Sequence, residues 1–340
     1  MRRIMAVALV AVCALAGCRD SRGDTGESGG QEQVTIMVGG IDKVIYLPAK
    51  LTESLGYFSD EKIAVKLLTE PAGAQAENVL IAGDVQGVVG FYDHTVDLQT
   101  KGKCVQSVVQ FADVPGEAEV AAADQTLTTP ADFKGKRLGV TSPGSSTDFL
   151  TQALAARAKL TKSDYTTVKA GAGQTFIAAI ENGGIDAGMT TDPTIARLVT
   201  SGKGKVVLDM RTEEGTRAAL GGLYPASSLY MDCAYVSAHK PTVQKLANAF
   251  VKTLKWIDTH SAEEIAAKMP KQYAADDPTL YAKSINDSKG MFTADGVMDA
   301  DGAKNVLEVL ATFSPNVQGK KDSIDLSKTY TTEFVEKAAS

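Results

Sequence analysis

Apolar positions along this chain recur at two spacings, and each switch between them marks an element. Val34-Thr-Ile-Met-Val38 is a short apolar run closed by Gly39-Gly40, the signature of a strand followed by a turn. Positions 44, 47, 51 and 55 then return at helical spacing until Gly56. The same reading predicts a strand at 63–68, a helix at 74–82, a short buried strand at 87–90, a helix at 93–101 and a strand at 105–111. This βαβαβ order implies a parallel sheet with helices on its faces. After a turn-rich connector at 127–135 the pattern restarts, with a strand at 137–141 and a helix at 146–158. Further units follow at 165–169, 174–181, 185–189, 193–200 and 205–209. Beyond Gly221-Gly222 the chain predicts one strand, 229–236, and then helices over 241–260, 261–268, 278–289 and 301–312.

The late helices have no sheet of their own, so they belong with the first one. The expected organisation is an α/β protein of two lobes. Lobe one is discontinuous, 34–120 plus 220–340, and lobe two spans 121–219. In open parallel sheets ligands sit beyond the carboxyl ends of the strands, which places the candidate residues in a cleft between the lobes.

The first 33 residues follow another logic. Arg2 and Arg3 precede an uncharged apolar run from Ile4 to Leu15, too short to span a bilayer and suited to a signal peptide over 1–17. Leu15-Ala16-Gly17-Cys18 resembles a bacterial lipobox, which implies cleavage before Cys18 and a lipid on its thiol. Two acyl chains make a stable anchor. Residues 19–33 contain no apolar side chain, so 18–33 is expected to be a flexible tether. Loss of residues 1–17 removes two arginines from a chain of net charge −6, leaving −8. An acidic body without a basic run argues against nucleic acid as a partner. In that body only Cys104 and Cys233 remain, as one disulfide or as two buried thiols.

Four strand ends carry candidate chemistry. After the first strand come Asp42, Lys43 and Tyr46: a helix cap, a cation and a phenol. After the strand at 87–90 come Phe91, Tyr92, Asp93 and His94. The rings suit a pocket wall, and Asp93 suits either a cap or a ligand. His94 is one of three scattered histidines, which does not make a metal site. The third end is Thr141-Ser-Pro-Gly-Ser-Ser-Thr-Asp148, where a helix opens with three hydroxyl residues. Its first-turn N–H groups and the hydroxyls of Ser145, Ser146 and Thr147, next to Gly144, suit an anion. The Gly-Lys-Ser/Thr ending of a phosphate-binding Walker loop and the G-x-S-x-G of a nucleophile elbow are both missing. The fourth end supplies Thr190, Thr191 and Asp192, with Asp192 also placed to cap a helix. Tyr224, in Gly-Leu-Tyr-Pro225, lies near the return crossing as either hinge or pocket.

The lipobox, the run G-G-I-D-K-V-I-Y-L-P-A-K-L-T-E-S-L-G-Y-F (39–58), G-V-T-S-P-G-S-S-T-D-F (139–149) and G-G-I-D-A-G-M-T-T-D-P-T (183–194) resemble substrate-binding proteins of ABC importers. The likeness is to the nitrate/sulfonate/taurine group, related to binders of the thiamine pyrimidine precursor, and it covers essentially all of 34–336. It implies a periplasmic-binding-protein fold whose two lobes close on a small-molecule ligand and deliver it to a permease with its cytoplasmic ATPase. It implies neither a cofactor nor enzymatic activity, and a monomer outside the cytoplasm, tethered through Cys18. In sulfonate binders of the group a Gly-Ser-Ser/Thr helix start grips the anionic head, and that carries over to Gly144, Ser145, Ser146 and Thr147. A small organic anion of the sulfonate or taurine kind is therefore the expected ligand. A pyrimidine or aromatic acid walled by Tyr46, Phe91, Tyr92 and Tyr224 is the alternative, and Asp42, Asp93 or Asp192 would meet an amine.

Overall fold

A computed structural model describes residues 32–274 and 277–339. Cys18, the apolar run before it and nearly all of the expected tether lie outside the described residues. Ten strands run through the chain: β1 Glu32–Val38, β2 Ile63–Thr69, β3 Gly87–Phe91, β4 Val105–Gln110, β5 Glu117–Ala122, β6 Arg137–Val140, β7 Thr166–Lys169, β8 Ala187–Thr191, β9 Gly204–Asp209 and β10 Ser227–Asp232. They form two five-stranded sheets with the orders β2-β1-β3-β10-β4 and β7-β6-β8-β5-β9. In the first, β1 pairs in parallel with β2 and β3, and β10 runs antiparallel between β3 and β4. The second repeats the plan: β6 pairs in parallel with β7 and β8, and β5 runs antiparallel between β8 and β9. Each sheet's antiparallel member is the first strand after a crossing. Chain and counter-chain therefore pass side by side between the lobes.

This pairing moves one expected boundary. β5 lies in the second sheet, so the chain leaves the first lobe at 111–116 and not after 120. β1 also begins earlier than expected, at Glu32, inside the stretch assigned to the tether. The apolar run expected as a strand over 229–236 divides. Asp232 Oδ1 accepts the N–H groups of Ala234 and Tyr235, and this cap starts a helix, Cys233–Ala238.

Strands β3 and β8 are buried along their whole length, as expected for strands covered on both faces. Between β6 and β8 the backbones need glycine, because a Cβ on Gly188 would stand 2.5 Å from the Gly139 carbonyl oxygen. On the first sheet the helix Lys240–Thr259 brings Phe250 against Phe58 and Phe111, with ring centres 5.3 and 4.9 Å apart. Other late helices reach across. Phe313, ending the helix Ala300–Phe313, meets Phe149 of the second-lobe helix Ser146–Arg157. Cys104 and Cys233 form a disulfide, 5.4 Å between Cα atoms, at the ends of β4 and β10 remote from the cleft. Cys104 is exposed, so the alternative of two buried thiols does not hold. Among the described residues no helix is long and apolar enough to cross a membrane.

Candidate functional site

The carboxyl ends of β1, β3, β6 and β8 meet where the lobes touch, together with the amino ends of β5 and β10. Hydrogen bonds cross between the lobes there. Val44 N–H donates to the Asp192 carbonyl (3.0 Å) and Ala74 N–H to Ser145 Oγ (3.3 Å). Ser146 Oγ donates to Asp93 Oδ1 and Ser288 Oγ to Asp192 Oδ2, both at 2.8 Å. The lobes are closed on one another.

At the end of β1, Gly40 has φ +114° and a Cβ there would lie 2.5 Å from Lys43 Cε. The glycine lets the lysine fold back over the turn. Lys43 Nζ donates to the Gly39 carbonyl (2.7 Å) and the Pro71 carbonyl (3.2 Å). Burial holds its pKa below the usual lysine value, against the opposing pull of Glu117 and Asp42. Asp42 is exposed and makes no cap; Lys43 itself occupies the cap position of the short 3-10 turn Val44–Tyr46. Tyr46 is buried with its ring edge against Phe91, centres 6.4 Å apart.

At the end of β3, Asp93 is fully buried and does not act as a cap. Its Oδ1 accepts from Ser146, and its Oδ2 accepts from the Tyr224 hydroxyl at 2.9 Å. Tyr224 thus ties the return crossing to the end of β3. Burial raises the Asp93 pKa, partly offset by neighbouring His94 and by the two hydroxyl donors. His94 places Nδ1 2.9 Å from Glu77 Oε2 and Nε2 3.5 Å from Ser146 Oγ. The order serine, histidine, glutamate has the outline of a nucleophile, base and orienting acid. Its chemistry is different. Burial lowers the His94 pKa, but Glu77, Asp93 and Asp97 outweigh it and bring it to about 9. An imidazolium at neutral pH cannot take a proton, and the Ser146 hydroxyl already donates to Asp93. Tyr92 departs from expectation: its hydroxyl bonds Thr329 Oγ1 at 2.6 Å, so it serves the C-terminal segment and not the pocket.

The helix start after β6 is occupied by the protein itself. Ser145 accepts from Ala74, Ser146 donates to Asp93, and Thr147 Oγ1 accepts from Thr141 N–H at 3.0 Å. Gly144 (φ +79°) gives its N–H to Asp148 Oδ2 at 2.9 Å. Its three hydroxyls all have protein partners, which weakens the expected anion grip.

At the end of β8, Thr191 Oγ1 donates to the Gly116 carbonyl (3.1 Å) and pairs with Glu117 across the strands. Thr190 lies on the opposite face of β8 from Thr191, by the period-two rule. Asp192 is fully engaged. Oδ2 accepts from Arg211 Nη1 (2.9 Å) and Ser288, and Oδ1 from Ala196 N–H (3.1 Å). Arg211 also pairs with Asp209 at 2.6 Å. Asp192 joins elements, and each of its oxygens already accepts from the protein.

Two residues passed over in the sequence matter here. Glu117, first in β5, is 3 % exposed and its Oε2 has no hydrogen-bond partner. Burial raises its pKa, with Lys43 opposing and Asp93 adding. Arg197, in the helix Thr194–Thr200, has no ion-pair or hydrogen-bond partner for its guanidinium among the described residues. It lines a cavity of about 180 Å3 between the lobes with Asp42, Lys43, Gln174, Asp192 and Tyr273. Gly144, Phe149, Lys101 and Phe313 line a second cavity, about 320 Å3, on another flank of the same junction. Among the described residues no histidine, cysteine or carboxylate group is placed to hold a metal ion.

Comparison with solved structures places this architecture among known folds. A protein from Bordetella bronchiseptica RB50 is 35% identical, superposes with a TM-score of 0.86, and matches over 90% of this chain and 96% of its own. The alkanesulfonate-binding protein SsuA from Xanthomonas axonopodis pv. citri, bound to MOPS, is 17% identical with a TM-score of 0.71, over 88% of this chain and 98% of that one. The periplasmic nitrate-binding protein NrtA from Synechocystis PCC 6803 is 14% identical with a TM-score of 0.68, over 90% and 88%. The fold is that of the periplasmic binding proteins. A comparison with curated protein sequences finds no match. The family model described as "NMT1/THI5 like" matches residues 47–264. The chain belongs to the NMT1/THI5-like family.

Proposed function

We propose that this protein is the solute-binding component of an ABC importer, closing its lobes around a small organic anion and presenting the closed form to a permease coupled to a cytoplasmic ATPase. It works as a monomer outside the cytoplasm, held at the membrane by a lipid on Cys18, and it is not an enzyme. The observation that carries the ligand class is the cavity between the lobes, to which the first contributes Lys43 and the second contributes Arg197. Lys43 has three N–H donors and spends two on carbonyls, so one remains. Each cation lies on its own lobe, so an anion touching both is held only in the closed state and shifts the population toward it. The names of SsuA and NrtA, an alkanesulfonate binder and a nitrate binder, agree with such a ligand. An aromatic ligand has less support, since Tyr92 faces elsewhere and Tyr46 packs edge-on to Phe91.

The test is a thermal-unfolding screen with ethanesulfonate, nitrate, acetate and methylphosphonate, followed by calorimetry. A ligand at 100 times its Kd adds about 2.7 kcal/mol to the native state. Arg197→Gln should weaken binding roughly 10- to 100-fold, the scale of a hydrogen bond to a charged group. No stabilisation by any of these anions, or full affinity in Arg197→Gln, overturns the anion site.

A further inference from the structure

The cavity of about 320 Å3 on the other flank of the junction is walled by both lobes. Lobe one contributes Glu77 and Asn78 from the helix Gly73–Ala82, together with Asp97. Lobe two contributes Asp148 and Gln152, four residues apart and so on one face of the helix Ser146–Arg157. Glu77, Asp97, Asp148 and Gln152 are each more than nine-tenths buried. Two of the three carboxylates have a cation of their own: His94 Nδ1 lies 2.9 Å from Glu77, and Lys101 Nζ 2.6 Å from Asp97. Asp148 has none among the described residues. Its Oδ2 accepts the Gly144 N–H at 2.9 Å, and its Oδ1 accepts nothing from them. The amide of Gln152 likewise has no partner among the described residues. Lys162, also in the lining, is exposed and forms no ion pair with any of them. A buried charge without a countercharge and a buried amide without a partner are both costly, and both call for a donor.

We propose that this cavity is a second binding site, which takes a small organic cation of the alkylammonium class as a co-ligand separate from the transported solute. The cation's N–H groups donate to Asp148 Oδ1 and to the side-chain carbonyl of Gln152. Its alkyl part lies against Phe149 and Phe313, whose ring centres are 5.9 Å apart. Among the described residues the carboxylates are not grouped to hold a metal ion, which favours a cation with N–H donors and an apolar body. The volume is near the lower end of the roughly 300–1,000 Å3 of small-molecule pockets, so the ligand is small. Because the walls belong to different lobes, a cation that touches both favours their closed arrangement. Coupling between two sites is reciprocal, so the cation and the anion at Lys43 and Arg197 raise one another's affinity by the same factor. That coupling, though not the cation site itself, rests on the reading of the protein as an anion receptor that closes.

Matched probes test this: butylammonium against butan-1-ol, alike in shape and different in charge. Calorimetry on the whole protein should show butylammonium binding at least tenfold tighter than the alcohol. Asp148→Asn, whose amide oxygen still accepts from Gly144, should weaken butylammonium at least tenfold, and Gln152→Leu should weaken it severalfold. Thermal unfolding establishes that both variants are folded. Saturating butylammonium should tighten ethanesulfonate at least threefold in the parent and leave it unchanged in Asp148→Asn. Equal affinity for amine and alcohol, or no binding of butylammonium, overturns the cation site. Full butylammonium affinity in Asp148→Asn places the amine elsewhere and overturns the assignment to this cavity. Butylammonium bound with no effect on ethanesulfonate leaves the site standing and overturns the coupling. Failure of ethanesulfonate to bind at all overturns the anion-receptor reading, while the comparison of butylammonium with butan-1-ol still decides the cation site.

Discussion

Asp93 and Asp192 occupy the same place in the two lobes. Each follows the third strand of its sheet order, β3 in one and β8 in the other, and each is fully buried. Each also accepts a hydrogen bond from a serine of the opposite lobe, Ser146 for Asp93 and Ser288 for Asp192. The rest of their surroundings is unlike. Asp192 is met by a guanidinium, Arg211, and a backbone N–H. Asp93 has hydroxyl donors, with His94 next in the chain already paired to Glu77. A carboxylate met by an arginine has its charge balanced within the protein and acts as a fixed joint. A carboxylate met only by hydroxyls keeps capacity for something that arrives from outside. One topological position, repeated in each lobe, is thus held by an arginine on one side, as a joint, and by hydroxyls alone on the other, where the proposed function would place part of the receptor.

Arg211→Ala gives the largest expected break in this contrast. It leaves the buried Asp192 carboxylate without its cation, which costs about 3–5 kcal/mol, measurable as a lower urea midpoint. A loss under 1 kcal/mol would mean that Asp192 is not balanced in the way described. Ser146→Ala should come next, weakening the closed state by about 1–3 kcal/mol because Asp93 loses one of two donors. Fluorescence transfer between dyes on the two lobes reads this directly. Ser288→Ala should do less, about 0.5–1.5 kcal/mol, since Asp192 keeps Arg211. Equal effects of the two serines would erase the distinction between joint and receptor.

The gentlest test is pH. Burial raises the pKa of Asp192 in the second lobe, against the pull of Arg211, as it raises that of Asp93 in the first, and wide titration windows belong to His94 and Glu119. The folded pKa of His94 is raised from 6.5 to about 9, so the folded state holds a proton that the unfolded chain releases earlier. Its stabilisation is complete below about pH 6.5 and is lost as pH rises through about 9. Glu119, raised from 4.5 to about 8, acts with the same sign: it holds a proton the unfolded chain has lost, so stability falls as pH rises from about 4.5 to 8. Each group contributes at most about 1.4 kcal/mol per pH unit within its window. Glu119→Gln should flatten the lower window and leave the upper one. Stability that grows between pH 6 and pH 9 would contradict both.

Much of the fold was legible because strands such as Gly87-Val-Val-Gly90 and helices such as 146–158 carry clean spacing, and glycine punctuates their ends. β5 was not. Its sequence, Glu-Ala-Glu-Val-Ala-Ala, places two acids on a buried face and lacks the apolar run that marks the other strands, so no element was read there. The same gap left Glu117 out of the candidate residues. The rule that ligands sit at carboxyl ends of strands leads to Asp93 and Lys43, but Glu117 stands at the amino end of the antiparallel strand, a position the rule passes over. At 144–147 the chemistry was legible and its partners were not. Three hydroxyls suggested an anion, and only the packing of one lobe on the other reveals that Ala74, Asp93 and Thr141 take them. The reach of Arg211 to Asp192 could not be read from spacing, because it passes from the end of β9 to the end of β8 across the intervening β5.

The bond between Cys104 and Cys233 has a mechanical meaning. Its two ends are 129 residues apart in sequence, and the stretch between them holds both crossings and the whole second sheet. Tension applied between the first and last described residues passes through the sulfur atoms and never loads the intervening chain. The second lobe would stay folded under a pull that strips the first. Reduction of the bond would restore the longer path, adding roughly 450 Å to the contour that a pulling experiment can draw out.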